Sequence, residues 1–465
     1  MAKKKTSLTP EQRLQEALVP ESEWPYQVPK NWCWIKFGYL AKEMADGPFG
    51  SNLKREHYTE NPEVRIIQLS NIGENGWREE NTKYTTFEHA KSIARSIVEP
   101  GNLVIAKMMP AGRAILCPDR EAQYVLSSDA VKCVPYAQLN SKFLLNEINS
   151  YYFQQQVQEN TQGITRARTS IKKLKEYAFA VPPLAEQQRI VDRIESLFAK
   201  LDEAKQKAKD VLDGFETRKA AILHKAFTGE LTTKWREEHS AELATWRNTT
   251  LGKIVNSFKY GTSEKSDYSY PGMPVFRIPN ITDDGLSFDD LKFLPHHDVT
   301  DENQIHQNEI LTIRSNGSRD LVGKSVLVPH LDRPYAYASF LIRIQPIKTV
   351  NPKFLVTYLN SADARAQMFA KAKSSSGINN INSKELGAIT LNLPTIDEQQ
   401  EIVLILDDLL SKEQQAKEAA ESVLEQIDLI KKSILAHAFR GELGTNDPTE
   451  ESSVELLKEI LEKEA

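Results

Sequence analysis

One stretch of about fifty residues occurs twice in this chain. Residues 186–191 read EQQRIV and residues 398–403 read EQQEIV, and farther on residues 222–231 (ILHKAFTGEL) return as residues 434–443 (ILAHAFRGEL). Both matches lie 212 positions apart, and 21 of the 50 residue pairs that span them are identical without a gap. Two copies so far apart are not a solenoid, whose units stack on direct neighbours. The repeat therefore predicts two spacers of equal length between two larger domains.

The apolar residues of each copy follow a heptad pattern. In the first copy, with Arg218 as the odd member, the series is Ile190, Ile194, Leu197, Leu201, Ala204, Ala208, Val211, Phe215 and Ile222. In the second copy, with Glu413 as the odd member, it is Ile402, Leu406, Leu409, Ala416, Ala420, Val423, Ile427, Ile430 and Ile434. A narrow stripe with this 3.5-residue period is typical of a coiled coil. We expect the two stripes to pack against each other; the alternative is that each stripe packs on its own domain.

Helix signals bound both copies. Pro182-Pro183 and Pro394 precede the helices, and Gly229 and Gly441 follow them, which are the residues expected at the start and end of a helix. A helix of about 42 residues would be roughly 60 Å long.

Composition limits the class of protein. A chain of 465 residues can form two or three domains with full cores, and 40% hydrophobic and 26% charged residues are ordinary for a soluble protein. No apolar run is as long as a membrane span. The chain has an odd number of cysteines, Cys33, Cys117 and Cys133, and they show no paired spacing. This pattern fits a reduced cytoplasm and excludes a disulfide framework or a cysteine zinc site. A net charge of −5 neither indicates nor excludes nucleic-acid binding, because local basic surface decides that.

The stretches outside the spacers also resemble each other, but weakly. Three pairs of segments correspond, namely 64–72 with 275–281, 101–107 with 308–314, and 140–144 with 351–355. Short β-branched runs between Gly, Pro, Asn and Asp turns predict strands, and the segments after Asn140 and Asn351 predict helices. Each domain should therefore be α+β, with strands first and helices last. A shared scaffold with different polar residues suggests two readers of two different targets.

Motifs of catalysis are absent from the sequence. It holds no Gly-rich phosphate loop after a strand, no Asn-Pro-Pro-aromatic motif, no His-Glu-x-x-His and no Gly-x-Ser-x-Gly. His296-His297 is best interpreted as a solvated pair, and Asp202 to Lys205 as the solvated face of the first spacer helix.

Candidate nucleic-acid contacts are easier to find. Arg and Lys read guanine or hold phosphate, Asn and Gln read adenine, and Ser and Thr position the chain. Singly, each candidate is better explained as an ordinary surface residue; as sets that recur at matched positions they favour DNA contact. In the first domain the candidates are Ser51, Asn52, Lys54, Arg55, Asn71, Lys107, Arg113, Arg166 and Arg168. In the second they are Ser263, Lys265, Asn280, Arg314, Asn316, Arg319, Lys371, Lys373, Ser375 and Asn379.

These features together resemble a known family. The repeated helix entry around EQQRIV, the repeated exit AF-x-GEL, and two variable domains that end in Gly163-Ile164 and Gly377-Ile378 look like the DNA specificity (S) subunit of Type I restriction–modification enzymes. The second entry, residues 393–398 (LPTIDE), departs modestly from the usual form. The resemblance implies two globular target recognition domains separated by two long antiparallel coiled-coil helices, a pseudo-twofold internal repeat. The expected segments are 1–30 (helical), 31–180 (domain 1), 181–236 (spacer helix), 237–392 (domain 2), 393–443 (spacer helix) and 444–465 (acidic tail with a short helix).

The resemblance also implies what surrounds the chain. The subunit would be non-catalytic, bind double-stranded DNA in the cytoplasm, and carry no cofactor of its own. Two methyltransferase (modification) subunits would dock on it, bind S-adenosylmethionine and methylate adenine, and two motor-nuclease (restriction) subunits can join them. The acidic tail, with Val454, Leu457 and Leu461 on one face, is either a docking helix or a frayed end.

Two rival classes of function stay open at this stage. The chain could be a self-contained methyltransferase or nuclease with unfamiliar motifs, which binding of labelled S-adenosylmethionine to the isolated chain would reveal. It could instead be a coiled-coil linker of two protein-binding domains, which sequence-selective DNA retention would exclude.

If the spacer helices set the separation of the readers, their length is a ruler. Four residues inserted near Asp213-Gly214 add about one turn, or roughly 6 Å. Since DNA rises about 3.4 Å per base pair, the unread gap of a bipartite target should lengthen by one or two base pairs, with unchanged half-sites. The measurement is sequencing of methylated sites for the insertion variant. An active variant with the original gap would show that the helices do not measure it, and changed half-sites would show that the helices touch bases.

Overall fold

The protein is represented by a computed structural model that describes residues 9–50, 52–74, 76–108, 110–160, 168–297, 300–375 and 377–463. The chain divides into two compact units. Unit 1 contains Met1–Lys207 and Ser422–Ala465, and unit 2 contains the intervening Ala208–Glu421. Each unit therefore combines one of the two predicted domains with a part of each spacer helix.

The domain in unit 1 is built from small sheets. A four-stranded antiparallel sheet has the order Ala114–Leu116, Leu103–Ala106, Ala130–Pro135, Ala41–Asp46. A five-stranded sheet has the order Tyr58–Thr59, Tyr84–Thr85, Val64–Ile67, Tyr124–Leu126, Ile97–Val98. Two pairs of strands complete the set, Cys33–Lys36 with Ala178–Val181 and Ile72–Gly73 with Gly76–Trp77. The helices are Pro10–Ala17, Phe87–Ser92, Ser141–Ile148, Tyr151–Glu159, Ile171–Glu176 and, near the C-terminus, Ser453–Glu462.

The domain in unit 2 repeats this plan. Its four-stranded antiparallel sheet has the order Ser325–Leu327, Ile310–Ile313, Leu341–Pro346, Val255–Tyr260. A second four-stranded sheet has the order Lys292–Phe293, Pro274–Phe276, Tyr335–Tyr337, Gln304–Ile305. Arg247–Thr250 pairs with Thr390–Leu393, and a three-stranded ribbon joins Ser315–Asn316, Ile378–Asn380 and Lys373–Ser375. The helices are Thr233–Glu238, Pro352–Leu359, Ala362–Lys371 and Ser383–Gly387.

The order of strands and helices confirms the predicted α+β internal repeat. In both domains the second sheet holds one parallel pair among antiparallel ones, Val64–Ile67 beside Tyr124–Leu126 and Pro274–Phe276 beside Tyr335–Tyr337. Strand Leu103–Ala106 is buried at every position, as is its counterpart Ile310–Ile313. These central strands are apolar at every position but Thr312, because both of their faces lie inside the domain.

Two long helices correspond to the repeated spacers. The first long helix spans Leu184–Thr228 and the second spans Ile396–Ala438. Gly229 follows the first helix directly with a φ of +85°, and Gly441, three residues past the end of the second, has a φ of +74°. Both φ values lie in the left-handed region that glycine adopts without strain, so these residues end the helices as the sequence predicts. No helix in the described part of the chain is long and apolar enough to cross a membrane.

The long helices pair antiparallel within each unit. In unit 1, Lys431 lies 2.6 Å from Asp202 and Lys205 lies 3.9 Å from Asp428. In unit 2, Arg218, the odd member of the first heptad series, donates to Glu413, the odd member of the second, at 2.8 Å. The two exceptions to the apolar pattern therefore form an ion pair with each other.

The predicted stripe holds for the first helix but is partly wrong for the second. Val423 and Ile430 are 39% and 42% exposed, and Ala416 is exposed as well. The structure turns the following residues inward instead: Lys417, Leu424 and Lys431. Lys417 Nζ lies 5.1 Å from the ring centre of Phe215, and Lys431 Nζ lies 5.1 Å from that of Phe198. A lysine covers an aromatic ring with its alkyl stem and keeps its ammonium near water, so it competes well with a small apolar residue.

A buried carboxylate anchors the start of each long helix. Trp32 Nε1 donates to Glu186 at 2.7 Å, and Trp246 Nε1 donates to Glu398 at 2.8 Å. Both glutamates are fully buried. The anchor also engages the segment that follows the other long helix, because Asn446 donates to Glu186. In the same way Thr232 and Arg236 donate to Glu398. The repeated glutamate thus joins the domain, one helix start and the other helix end.

The next residue of the repeat fixes the domain to the helix. The side-chain oxygen of Gln187 accepts from Asn140 N at 3.0 Å, and that of Gln399 accepts from Asn351 N at 2.7 Å. Both glutamines are buried and donate to the carbonyl of the preceding proline, Pro182 or Pro394. The identical Glu-Gln pair in the two copies therefore reflects identical buried contacts.

Glu398→Ala should destabilise unit 2 strongly. The substitution leaves the buried guanidinium of Arg236, whose side chain is 9% exposed, without its carboxylate. Removing one partner of a buried ion pair typically costs about 3–5 kcal/mol. The free energy of unfolding from denaturant titration measures this, with Glu421→Ala on the exposed face of the same helix as the control. Equal stability of the two variants would contradict the proposed role of the anchor.

The C-terminal helix packs on unit 1. Leu457, Ile460 and Leu461 are at most 2% exposed, and Arg13 from the first helix of the chain donates to Leu461 O at 3.3 Å. The apolar face of the acidic tail is therefore covered by this chain itself. In the residues that the structure describes, the tail therefore forms a helix packed on its own chain rather than a frayed end.

Glu147 is a buried carboxylate of a different kind. One of its oxygens accepts from Ala180 N at 2.6 Å, and the other has no hydrogen-bond partner among the described residues. Burial in the core raises the pKa of Glu147 well above the ordinary 4.5. The folded protein therefore favours the protonated acid.

Glu147→Gln should remove a pH dependence of stability. Because the folded pKa is raised, the folded state holds the proton more tightly than the unfolded state. The free energy of unfolding should thus fall by up to about 1.4 kcal/mol per pH unit above pH 4.5, until the folded pKa is passed. Glutamine keeps an acceptor for Ala180 N and cannot ionise. Denaturant titrations between pH 5 and 8 test this, with exposed Glu99→Gln as the control; an unchanged slope for Glu147→Gln would refute the assignment.

Candidate nucleic-acid interface

Four residues of unit 1 lie together at one end of the four-stranded sheet. Asp46 is the last residue of its strand, and Lys107 directly follows Leu103–Ala106. Lys107 N donates to Asp129 O at 2.8 Å, and Thr169 N donates to Lys107 O at 2.9 Å. This brings Arg168 beside Met108 in a β-bridge. We call Asp46, Lys107, Asp129 and Arg168 corner 1.

The side chains of corner 1 form two ion pairs. Lys107 Nζ lies 2.7 Å from Asp46 Oδ1, and Arg168 Nη2 lies 2.9 Å from Asp129 Oδ1. The Lys107 side chain is 11% exposed and its partner Asp46 is 52% exposed, whereas Arg168 is 53% exposed and its partner Asp129 is 33% exposed. Each pair therefore has one inner and one outer member, and the outer members carry opposite charges.

The same backbone arrangement recurs in unit 2. Arg314 directly follows Ile310–Ile313. Arg314 N donates to Phe340 O at 2.9 Å, and Ile381 N donates to Arg314 O at 2.8 Å. Ser315 pairs with Asn380. The positions of Asp46, Lys107, Asp129 and Arg168 are thus occupied here by Tyr260, Arg314, Phe340 and Asn380, which we call corner 2.

Corner 2 has different chemistry on the same frame. The Arg314 guanidinium lies 4.5 Å from the ring centre of Tyr260, within cation–π range. Its Nε donates to Asn380 Oδ1 at 3.4 Å. Phe340 is 56% exposed. Where corner 1 holds two carboxylates, corner 2 holds two aromatic rings and one cation.

A glycine follows the first residue of each corner for a steric reason. A Cβ on Gly47 would lie 1.7 Å from Ser127 O, and a Cβ on Gly261 would lie 2.0 Å from Tyr337 O. Only glycine lets the chain pass so close to the neighbouring strand. These matched glycines place Asp46 and Tyr260 alike at the ends of their strands.

The structure brings several sequence-predicted residues of unit 2 together. Asn316, Lys373, Ser375 and Asn379 all lie on the three-stranded ribbon, next to Arg314. Asn379 Nδ2 donates to Gly317 O at 3.1 Å, which ties the ribbon to the preceding loop. Arg319 and Lys371 lie nearby, since Arg319 donates to Phe369 O at 2.9 Å in the helix that Lys371 ends. Ser263 and Lys265 are exposed in a separate loop after Gly261.

The predicted residues of unit 1 are more dispersed. Lys107 and Arg168 share corner 1, and Arg113 is half-buried in the turn after strand Leu103–Ala106. Asn52, Lys54 and Arg55 lie in an exposed loop that is tied to helix Phe87–Ser92 through His89, whose ring bonds with Asn52 O at 2.9 Å. Ser51 and Arg166 lie outside the described residues, as does the predicted landmark Gly163-Ile164.

Two candidate residues are poorly placed for DNA. Asn71 and Asn280 are at most 1% exposed. Asn71 donates to Arg78 O and Glu80 O, and Asn280 donates to Asp289 O, while both accept from a backbone N–H three residues earlier. Their amides hold matched loops together. We therefore withdraw both as candidate DNA contacts.

Sequence reasoning missed Asp46 and Asp129 of corner 1, and Tyr260, Phe340 and Asn380 of corner 2. Acidic and aromatic residues do not by themselves indicate DNA contact. One signal was available: Asp46 and Tyr260 each precede a glycine, 214 positions apart. The ion pairs of corner 1 join residues 61 and 39 positions apart, and Arg314 and Asn380 of corner 2 lie 66 positions apart, which no local pattern reveals.

No metal centre is evident in the part of the chain that the structure describes, which has no group of three or more His, Cys, Asp or Glu side chains placed to bind an ion. A cleft of about 790 Å³ in unit 2 is lined by polar groups of both signs, and Lys324 at its wall lies 2.7 Å from Asp283. The three cysteines are free and buried.

Comparison with protein families identifies the class. The family model described as the Type I restriction modification DNA specificity domain matches this chain twice, over residues 50–212 and 244–426. Together the two matches cover more than half of the chain. The chain belongs to this family, and both matches include one domain and the start of the long helix that follows it.

Individual relatives agree with the family. The chain is 29% identical over 268 residues to the Type I restriction enzyme EcoKI specificity subunit of Escherichia coli, and 27% identical over 266 residues to the StySPI specificity subunit of Salmonella potsdam. Each alignment covers 57% of this chain and 57% of the relative, so the chain spans a little over half the length of the curated relatives it matches.

A solved structure shares the fold. The crystal structure of the HsdS subunit from Thermoanaerobacter tengcongensis superposes with a TM-score of 0.66 at 19% identity, covering 91% of this chain and all of the other. At this identity the likeness concerns the fold alone, which is the same combination of two α+β domains and two long helices.

Proposed function

We propose that this chain is the sequence-specific DNA-binding specificity subunit of a Type I restriction–modification complex. It reads a bipartite, asymmetric DNA target with its two domains and scaffolds the subunits that act on the DNA. The observation that carries the proposal is the pair of corners: two domains of one family share a backbone frame and differ at all four side chains. Two such readers would recognise two different short sequences.

The residues proposed to contact DNA follow from their position in the two domains. In domain 2 they are the ribbon and its neighbours, namely Arg314, Asn316, Arg319, Lys371, Lys373, Ser375 and Asn379, with Ser263 and Lys265 in the adjoining loop. In domain 1 they are Asp46 and Arg168, the outer members of corner 1, and the loops that carry Asn52, Lys54, Arg55 and Arg113. A short antiparallel ribbon with Asn side chains, beside Arg314, has the shape and the donors that suit the major groove.

The chemistry is proposed to lie on other subunits. Two methyltransferase subunits would bring S-adenosylmethionine, and motor-nuclease subunits would add restriction. This chain would determine which DNA sequence is bound and would carry no cofactor. Aliphatic side chains exposed on the second long helix support such docking: Leu404 and Leu429 are 64% and 65% exposed. Burying apolar surface of this kind is the usual source of binding free energy between subunits. We place this assembly in the cytoplasm, consistent with three reduced cysteines.

Methylome sequencing tests the proposal directly. A host that expresses the modification subunit with this chain should methylate adenine within one motif that has two different half-sites and an unread gap. A host with the modification subunit alone, or with this chain alone, is the control and should lack the motif. The physical reason is that two similar but non-identical readers recognise non-identical sequences.

Two outcomes would contradict the proposal. A continuous or perfectly palindromic motif would show that the two domains do not read separately. No new motif in the host with both subunits, although the two proteins copurify, would show that this chain does not direct methylation. Binding of labelled S-adenosylmethionine by the isolated chain would instead favour the rival interpretation as a self-contained methyltransferase.

A further inference from the structure

The inner and outer members of the ion pairs in corner 1 have different roles. Lys107 is nearly buried, so its ammonium cannot reach far into solvent, but it holds one oxygen of the half-exposed Asp46 at 2.7 Å. In the second pair the carboxylate of Asp129 is the less exposed partner and holds the guanidinium of Arg168. Corner 1 therefore presents one fixed acceptor, Asp46, and one fixed donor, Arg168.

We propose that Asp46 is a specificity-determining residue of domain 1 that accepts a hydrogen bond from the exocyclic amino group of a cytosine or adenine in the major groove. Lys107 is its positioning residue. Arg168 donates to guanine at a neighbouring base pair, positioned by Asp129. This inference rests on the proposed function. It adds a hydrogen-bond acceptor for base amino groups, which the basic residues do not supply.

The charge of corner 1 argues for reading bases rather than holding phosphates. Two cations and two carboxylates cancel, so the corner offers no net attraction to the DNA backbone, whose binding depends on uncompensated Lys and Arg. A carboxylate near DNA is tolerated where it meets a hydrogen-bond donor, and the donors in the major groove are cytosine N4 and adenine N6. The remaining lone pairs of Asp46 face solvent at 52% exposure, where such a donor can approach.

Corner 2 provides the internal contrast. Tyr260 occupies the position of Asp46, and Arg314 is held over its ring at 4.5 Å rather than by a carboxylate. Corner 2 thus offers a donor, while the exposed ring of Phe340 suits apolar contact, for example with a thymine methyl group. The two half-sites should then differ in the base that lies at this shared position.

The test compares Asp46→Asn with the parent in the full complex with the modification subunits. Methylation rates are measured on duplexes that carry each of the four base pairs at every position of the parent's motif. Asparagine both donates and accepts, so discrimination at one position of one half-site should fall by about five- to a hundred-fold, while the other half-site stays unchanged. Lys107→Ala should relax the same position, and Lys107→Arg should restore it.

Matched controls separate reading from folding. Glu176→Gln removes another surface ion pair of the same domain, with Lys36 at 3.1 Å, and should leave all base preferences intact. Tyr260→Phe, in the other domain, should leave the base preferences of the half-site read by domain 1 unchanged. The melting temperature of each variant complex shows whether the fold is preserved.

Three outcomes would overturn the inference. These are unchanged base preferences in a folded Asp46→Asn complex, equal changes in both half-sites, and a loss of rate that is uniform across all base pairs, which would mark a phosphate or structural role. The parent complex tells this failure from failure of the proposed function, since a parent with a bipartite motif upholds that function whatever Asp46 does.

Discussion

The architecture depends on a buried carboxylate at the start of each long helix. Glu186 and Glu398 accept from a tryptophan of the adjoining domain and from the segment that follows the other long helix. Burial raises the pKa of Glu186, and the hydrogen bonds from Trp32, Asn446 and Thr445 favour its charged form. Because a buried acceptor without partners is costly, each glutamate requires all of its partners to be in place. This requirement couples the domain to both helices.

The same requirement explains why the repeat is visible in the sequence. A glutamate that meets an indole, followed by a glutamine that meets a main-chain N–H and a proline carbonyl, makes the same contacts in both copies. The surfaces of the domains are under no such demand. The two copies therefore agree where the contacts are buried and shared, and differ where the side chains face outward, as at Asp46 and Tyr260.

The sequence predicts much of the fold because the relevant patterns are local. Heptad spacing and terminal glycines are sufficient to locate both long helices. The inward stripe of the second helix is missed by one residue at Ala416, Val423 and Ile430, because the choice of Lys417 and Lys431 depends on Phe215 and Phe198 of the other helix. The candidate site is predicted less well, because it also depends on contacts between distant segments of the chain. Asn71 and Asn280 resemble base readers in type, but their burial follows from loops that close only in the fold.

Corner 1 and corner 2 show how one scaffold carries two different sets of side chains. The main-chain bonds that place Lys107 and Arg314 are the same to within 0.1 Å in length, so the frame does not change with the residues it carries. A side chain on a fixed frame still needs its own support. In corner 1 that support is a salt bridge, and in corner 2 it is an aromatic face. If the corners read bases as we propose, changing what is read means changing a pair of residues, the one that reads and the one that holds it. The unit of divergence between the two domains is for this reason the supported pair, such as Asp46 with Lys107, rather than the single residue.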